Sequence, residues 1–252
     1  MTFDYHHRAV TEDTFHHDER LLSRLYRERF TGQDLEFKRR MWAVLCEQVF
    51  QRYVSATDTV VDLGAGSCEF INAIRAGRRI AVDVNPDAAL HAGDVEFIQG
   101  PSTDLGPIAS SSVNVIFCSN LLEHLPDKAA VLQTLVECRR VLRPGGTLLI
   151  LQPNIRYLPG RYWDYFDHHT PLSDRSMIEG LELAGFVPVR VVPRFLPYTV
   201  KETRLPRSTA LLRAYLRLPF LWPLFGRQML IVAKAGTATP LPGAARPPPG
   251  SS

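Results

Sequence analysis

Apolar positions along the chain alternate between two periods. Short β-branched runs read as buried strands: TVVDL (59–63), IAV (80–82), VEFI (95–98), VNVIFC (113–118) and TLLIL (147–151). Two more follow, FVPVRVV (186–192) and QMLIVAK (228–234). Helical spacing appears between them. Met41, Trp42, Leu45, Val49 and Tyr53 share a face over Leu35–Val54, and residues 67–76 read as a short helix closed by Gly77. Pro126 and Asp127 open a helix carrying Val131, Leu132, Leu135, Val136 and Leu142. Ser173 caps another, with Met177, Ile178, Leu181 and Ala184, that Gly185 ends. The turn Arg143-Pro144-Gly145-Gly146 leads into the fifth strand. Strands alternating with helices predict an α/β sheet, mostly parallel, with helices on both faces.

The ends differ from the middle. Residues 1–19 are polar and aperiodic, a flexible arm, and 236–252 are rich in Gly, Pro, Ala, Ser and Thr, a disordered tail. One domain is expected over 20–235. It carries two insertions: a lid-like segment at 152–173 and a basic amphipathic segment at 194–227.

Composition narrows the class. At 252 residues, 45% hydrophobic and 22% charged, the chain is an ordinary globular one, able to bury a core without disulfides. Its four cysteines stand apart, as in a reduced compartment. Apolar runs are too short to span a membrane, and the N-terminus does not read as a signal peptide. A cytoplasmic location follows. The histidine doublets lack zinc spacing, so no metal is expected. A net charge of +3 argues against a general nucleic-acid binder.

Ligands of an open parallel sheet bind beyond the carboxyl ends of its strands. The first strand ends in Asp62-Leu63-Gly64-Ala65-Gly66-Ser67-Cys68, where glycines permit a sharp turn and close ligand approach. Asp83 ends the second strand, seventeen residues past Gly66, and can accept both hydroxyls of a ribose. The third glycine of a dinucleotide loop is missing. An acid two residues before the first glycine suits a ligand with positive charge, such as an amino group or a sulfonium.

With VVDLGAG, AVDVNPD, FCSNLLEHLPD and LVECRRVLRPGGTLLI in this order over roughly 58–151, the chain resembles the class I S-adenosylmethionine-dependent methyltransferases. The resemblance implies a Rossmann-like seven-stranded sheet whose last strand is antiparallel. It implies S-adenosyl-L-methionine as cofactor, its methionine portion held by Asp62, Gly64, Ala65 and Gly66. Asp83 would bind the ribose, Val84 would lie against the adenine, and Ser119 and Asn120 would face the cofactor. Three positions depart from the family pattern. Cys68 replaces a frequent third glycine. Pro101 replaces a frequent acid, leaving adenine contact to Ser102, Thr103 or Asp104. Asn114 replaces a frequent Asp.

The acceptor side is read from composition. Segment 152–173 interleaves Tyr157, Tyr162, Trp163, Tyr165 and Phe166 with charged residues, as a functional loop does. One of His168, His169 or Asp167 is a candidate base; the alternative is a packed aromatic flap. His124 is a further candidate, or a packed core histidine. Segment 194–227 sets seven basic residues against Glu202 among Leu, Phe and Trp, which suits an anionic membrane surface at the inner face. The simpler alternative is that its apolar residues cover the sheet and its arginines are solvated. The expected function is methyl transfer to a small-molecule, sugar or lipid-linked acceptor, O-methylation preferred. The alternatives are a non-catalytic protein of the same fold and, less favoured, a nucleic-acid methyltransferase.

Overall fold

In the computed structural model, described for residues 32–198 and 208–236, seven strands form one sheet in the order β3-β2-β1-β4-β5-β7-β6. The strands are β1 (Thr59–Leu63), β2 (Arg78–Asp83), β3 (Glu96–Gln99), β4 (Val113–Ser119), β5 (Leu142–Pro153), β6 (Phe186–Leu196) and β7 (Gln228–Ala235). The pairs from β3 to β5 are parallel, and β7 lies antiparallel to both β5 and β6. The seven strands and the antiparallel last strand are thus as expected. The arm at 1–19 and residues 237–252 lie outside the described residues.

Alternation along each strand builds two cores. Val61, Leu63, Ile80, Val82, Leu148 and Ile150 face α4 (Lys128–Val141) and α5 (Asp174–Leu183). Val60, Ala81, Phe117, Leu149, Leu151 and Leu230 face the other layer, α1 (Gly32–Leu45), α2 (Glu69–Ala73) and α6 (Thr209–Leu216). Two four-residue helices complete the set, α3 (Ala89–Ala92) and α7 (Trp222–Phe225). The same period puts Asp62 on the face of Val60 and Gln228 on that of Leu230, toward α1.

The caps follow the sequence. Asp127 accepts from the Ala130 amide at the start of α4, and Ser173 and Ser176 form a reciprocal capping box on α5. The first helix is shorter than its apolar stripe. It stops at Leu45 and continues as a π-turn (Cys46–Phe50) and a 3₁₀ turn (Gln51–Tyr53), which still bury Val49 and Phe50. Arg143-Pro144-Gly145-Gly146 does not interrupt β5. It bulges out, so that Val113 pairs Leu142 while Val115 pairs Thr147.

Candidate active site

A cavity of about 240 Å³ opens beyond the carboxyl ends of β1 and β4, next to the start of β7. Its aromatic wall is fixed by packing. Phe70 stacks on Phe117 at 3.8 Å between ring centroids, and Trp42 meets both edge-on.

The loop after β1 forms one end. Gly64 and Gly66 have φ of +73° and +53°, values that L side chains rarely adopt. Amides of Gly64 and Ala65 both donate to the Val82 carbonyl, tying the loop to β2. A Cβ on Gly64 would come within 3.0 Å of the Leu121 side chain. Cys68 keeps the left-handed backbone of a glycine (φ +57°), its side chain fully buried. The family departure there leaves the turn intact. Asn114 serves structure: it accepts from the Thr59 amide and donates to Asp58.

Charge at this end is unbalanced. Asp62, Glu69 and Asp83 are all buried. Burial holds the Asp62 carboxyl well above the usual range, and the charges of Glu69 and Asp83 add to this. Lys38 reaches in from α1 to pair with Glu69 at 3.1 Å. Asp83 accepts from the amides of Gly66 at 2.7 Å and Asn85 at 2.8 Å; burial raises its carboxyl, and these bonds oppose the shift. A buried group of carboxylates beside an open loop fits a cationic ligand with hydroxyls to donate. That is the chemistry of S-adenosyl-L-methionine, so the residues fit the cofactor.

The other end is assembled from distant segments. The 3₁₀ turn Leu122–His124 receives the amides of His169 and Thr170 on the Glu123 carbonyl. His124 Nδ1 lies 2.8 Å from the Asp167 carbonyl oxygen and 3.4 Å from its carboxylate. His168 is buried, stacked on Tyr165 and edge-on to His124 and Tyr198. Glu123 is 1% exposed and its Oε2 has no hydrogen-bond partner among the described residues. Burial raises its carboxyl, which the nearby His124 partly offsets.

Asp62, Gly64, Ala65, Gly66, Ser119, Asn120, His124 and His168 line the cavity. Asp83 touches it through Gly66. Other candidates fall outside the lining. Ser102 is buried and bonds Thr134 at 2.9 Å, because the loop after β3 folds against α4. His169 is exposed, its amide spent on Glu123. Val84 is half-buried and also outside the lining. Asp167 is outside the lining as well, beside His124 Nδ1. Segment 152–173 is packed in part: Tyr162 is fully buried with its hydroxyl donating to the Thr170 carbonyl, and Thr170 donates to Leu125, while Trp163 and Phe166 are exposed.

Sequence reasoning missed Lys38, Glu69, Tyr198 and Gln228. Lys38 had a signal, standing one turn before Trp42 on the apolar stripe of α1. Tyr198 and Gln228 had none, since only the sheet order brings them here.

Known proteins share this fold and part of this sequence. Residues 61–150 match the family described as a methyltransferase domain. A probable S-adenosylmethionine-dependent methyltransferase of Mycolicibacterium smegmatis is 34% identical over 155 residues, 58% of this chain and 59% of that one. A ubiquinone biosynthesis O-methyltransferase of Xanthomonas campestris is 31% identical over 36% of this chain and 41% of its own. The chain thus spans about three fifths of the first relative and less of the second. A solved SAM-dependent methyltransferase from Archaeoglobus fulgidus superposes with a TM-score of 0.59 at 20% identity, covering 83% of this chain and 98% of its own. The chain has the class I methyltransferase fold.

Proposed function

We propose that the protein is an S-adenosylmethionine-dependent methyltransferase acting on the hydroxyl of a small-molecule, sugar or lipid-linked acceptor. The observation that carries this reading is the buried Asp62–Glu69–Asp83 group beside the Gly64–Gly66 loop, facing a histidine-bearing acceptor end across one cavity. When bound, S-adenosylmethionine supplies an electrophilic methyl on a sulfonium. Asp62 and Glu69 balance positive charge at the loop, and Lys38 is placed to meet a carboxylate. Asp83, held by the Gly66 and Asn85 amides, would accept from the ribose hydroxyls. The aromatic wall excludes water, and the two ends of the cavity set the reactants in line. A hydroxyl must lose its proton during transfer. His124, oriented by Asp167, and His168 stand where that proton leaves. The ubiquinone O-methyltransferase among the relatives supports an oxygen acceptor.

Calorimetric titration with S-adenosylmethionine tests the reading. Micromolar binding is expected, weakened about 30-fold or more in Asp83→Ala, as when one partner of a buried charged hydrogen bond is removed. Absence of binding to the unaltered protein would end it.

An amphiphilic acceptor at an anionic membrane is favoured by the face of α6 and α7. Leu216 is buried against the sheet and Leu212, Tyr215 and Trp222 pack beside it. Leu211, Phe220, Leu224 and Phe225 remain exposed, with Arg217 beside them in the chain. Arg213 pairs with Glu47, and Arg194 bonds the Leu224 and Gly226 carbonyls. Lys201, Glu202, Arg204 and Arg207 lie outside the described residues. No helix among the described residues is long and apolar enough to cross a membrane. Flotation with anionic vesicles is expected, and its loss in Phe220→Ser/Phe225→Ser; no flotation would leave a dissolved acceptor.

A further inference from the structure

Glu123, His124 and His168 come from a turn after β4 and from a segment more than forty residues later, yet one ligand atom of each lies within 4.8 Å of the others. All three line the cavity at its acceptor end. Metal–nitrogen and metal–oxygen bonds of about 2.0–2.2 Å place tetrahedral ligands about 3.4 Å apart, so side-chain rotations of about 1 Å would close the set. The second observation is Glu123 itself. A carboxyl oxygen with no hydrogen-bond partner among the described residues, on a side chain 1% exposed, is costly to leave ionised unless a cation meets it. Lys38 pairs with Glu69, at the loop end.

The surroundings of His124 complete the case. A metal-binding histidine usually gives its other ring nitrogen to a carbonyl or carboxylate, which fixes its orientation. Asp167 offers both to Nδ1, at 2.8 and 3.4 Å, leaving Nε2. His168 is held by Tyr165 on one face and by the edges of His124 and Tyr198. Such rings cannot swing freely. We propose that Glu123, His124 and His168 bind one divalent transition cation at the acceptor end of the cavity. Two imidazoles and a carboxylate suit zinc, cobalt or manganese better than the oxygen-only preference of magnesium or calcium.

Three protein ligands leave positions open toward the cavity. An acceptor carrying neighbouring oxygens, such as a vicinal diol or a phosphate-bearing sugar, would fill them. A hydroxyl bound there would be more acidic, as metal-bound water is; with both imidazoles spent as ligands, its proton would pass to solvent at the cavity mouth, and the cation would take the place of the imidazole base proposed above. This role rests on the methyl-transfer reading; the binding site does not.

Chelator-treated full-length protein should be titrated with cobalt(II), followed by visible absorption and calorimetry, beside a separate titration with S-adenosylmethionine. One saturable equivalent is expected, weakened at least 10-fold in Glu123→Gln and in His168→Asn, with cofactor affinity unchanged in both. No saturable binding up to millimolar cobalt, or equal binding in the variants, overturns the site. His124→Asn, at a partly exposed position, repeats the test should a buried substitution fail to fold. Cobalt binding without cofactor binding would support the cation and remove the methyl-transfer reading, and the reverse result would do the opposite.

Discussion

At one end of the cavity, shape comes from residues adjacent in the chain: Gly64, Gly66 and Cys68 turn the backbone with positive φ, and Asp62 is carried in by the strand before them. The other end draws its residues from the turn after β4, the wall before α5, the end of β6 and the start of β7. The first end is a local device set on a scaffold. The second exists only once the sheet is complete and the wall is packed against it. They should therefore fail separately.

The largest expected effect is on the wall. Tyr162→Ala removes a fully buried ring and its bond to Thr170, at a cost of about 3–5 kcal/mol by analogy with other aromatic truncations, read by urea unfolding. Cofactor affinity should survive wherever the variant is folded. If it fell in step with stability, the two ends would be a single cooperative unit.

Next in size is the response to pH. The folded-state carboxyls of Asp62, Asp83 and Glu123 all lie above their ordinary values, chiefly through burial. Stability from such groups is fully present below the ordinary carboxylate value and is lost as pH rises through the raised one. The unliganded protein should melt at a lower temperature at pH 8 than at pH 5, by about 2–4 °C for each kcal/mol involved. Asp62→Asn should flatten this slope while weakening cofactor binding, and S-adenosylmethionine should restore the melting temperature at pH 8. An unchanged slope in Asp62→Asn would leave the titration to Asp83 or Glu123.

The smallest effect is expected at Cys68. Glycine there relieves a left-handed backbone costing roughly 1–2 kcal/mol but deletes a buried side chain, so Cys68→Gly should move stability by about 1 kcal/mol or less. Burial also pushes its thiol up to about 12, so alkylation of the folded protein should be slow.

The same contrast explains what the sequence could reveal. Short β-branched runs and helical spacing located all seven strands and both capped helices, because burial on one or both faces writes itself into residue order. The loop after β1 was legible for the same reason: its turn residues, its acid and its glycines are neighbours. At the acceptor end, composition found the aromatic segment and His168 but could not separate His168 from His169. One is buried and the other exposed only because the Glu123 carbonyl takes the His169 and Thr170 amides. The absence of zinc spacing was likewise a statement about neighbours in the chain. Glu123 and His124 meet His168 through folding, which leaves no spacing rule to detect. Ser102 lies outside the cavity lining because its loop turns under α4 to reach Thr134, a tertiary choice.

The reversed last strand has a practical consequence. β7 begins with Gln228 in the cavity lining and runs antiparallel to β5 and β6, so Ala235 lies beside Phe186, at the end of the strands away from the cavity. Eight residues of strand carry the chain about 25 Å. A fluorophore or surface tether attached at Gly236 would therefore stand clear of the site entrance, and an immobilised protein would present its cavity outward to whatever acceptor is flowed across it.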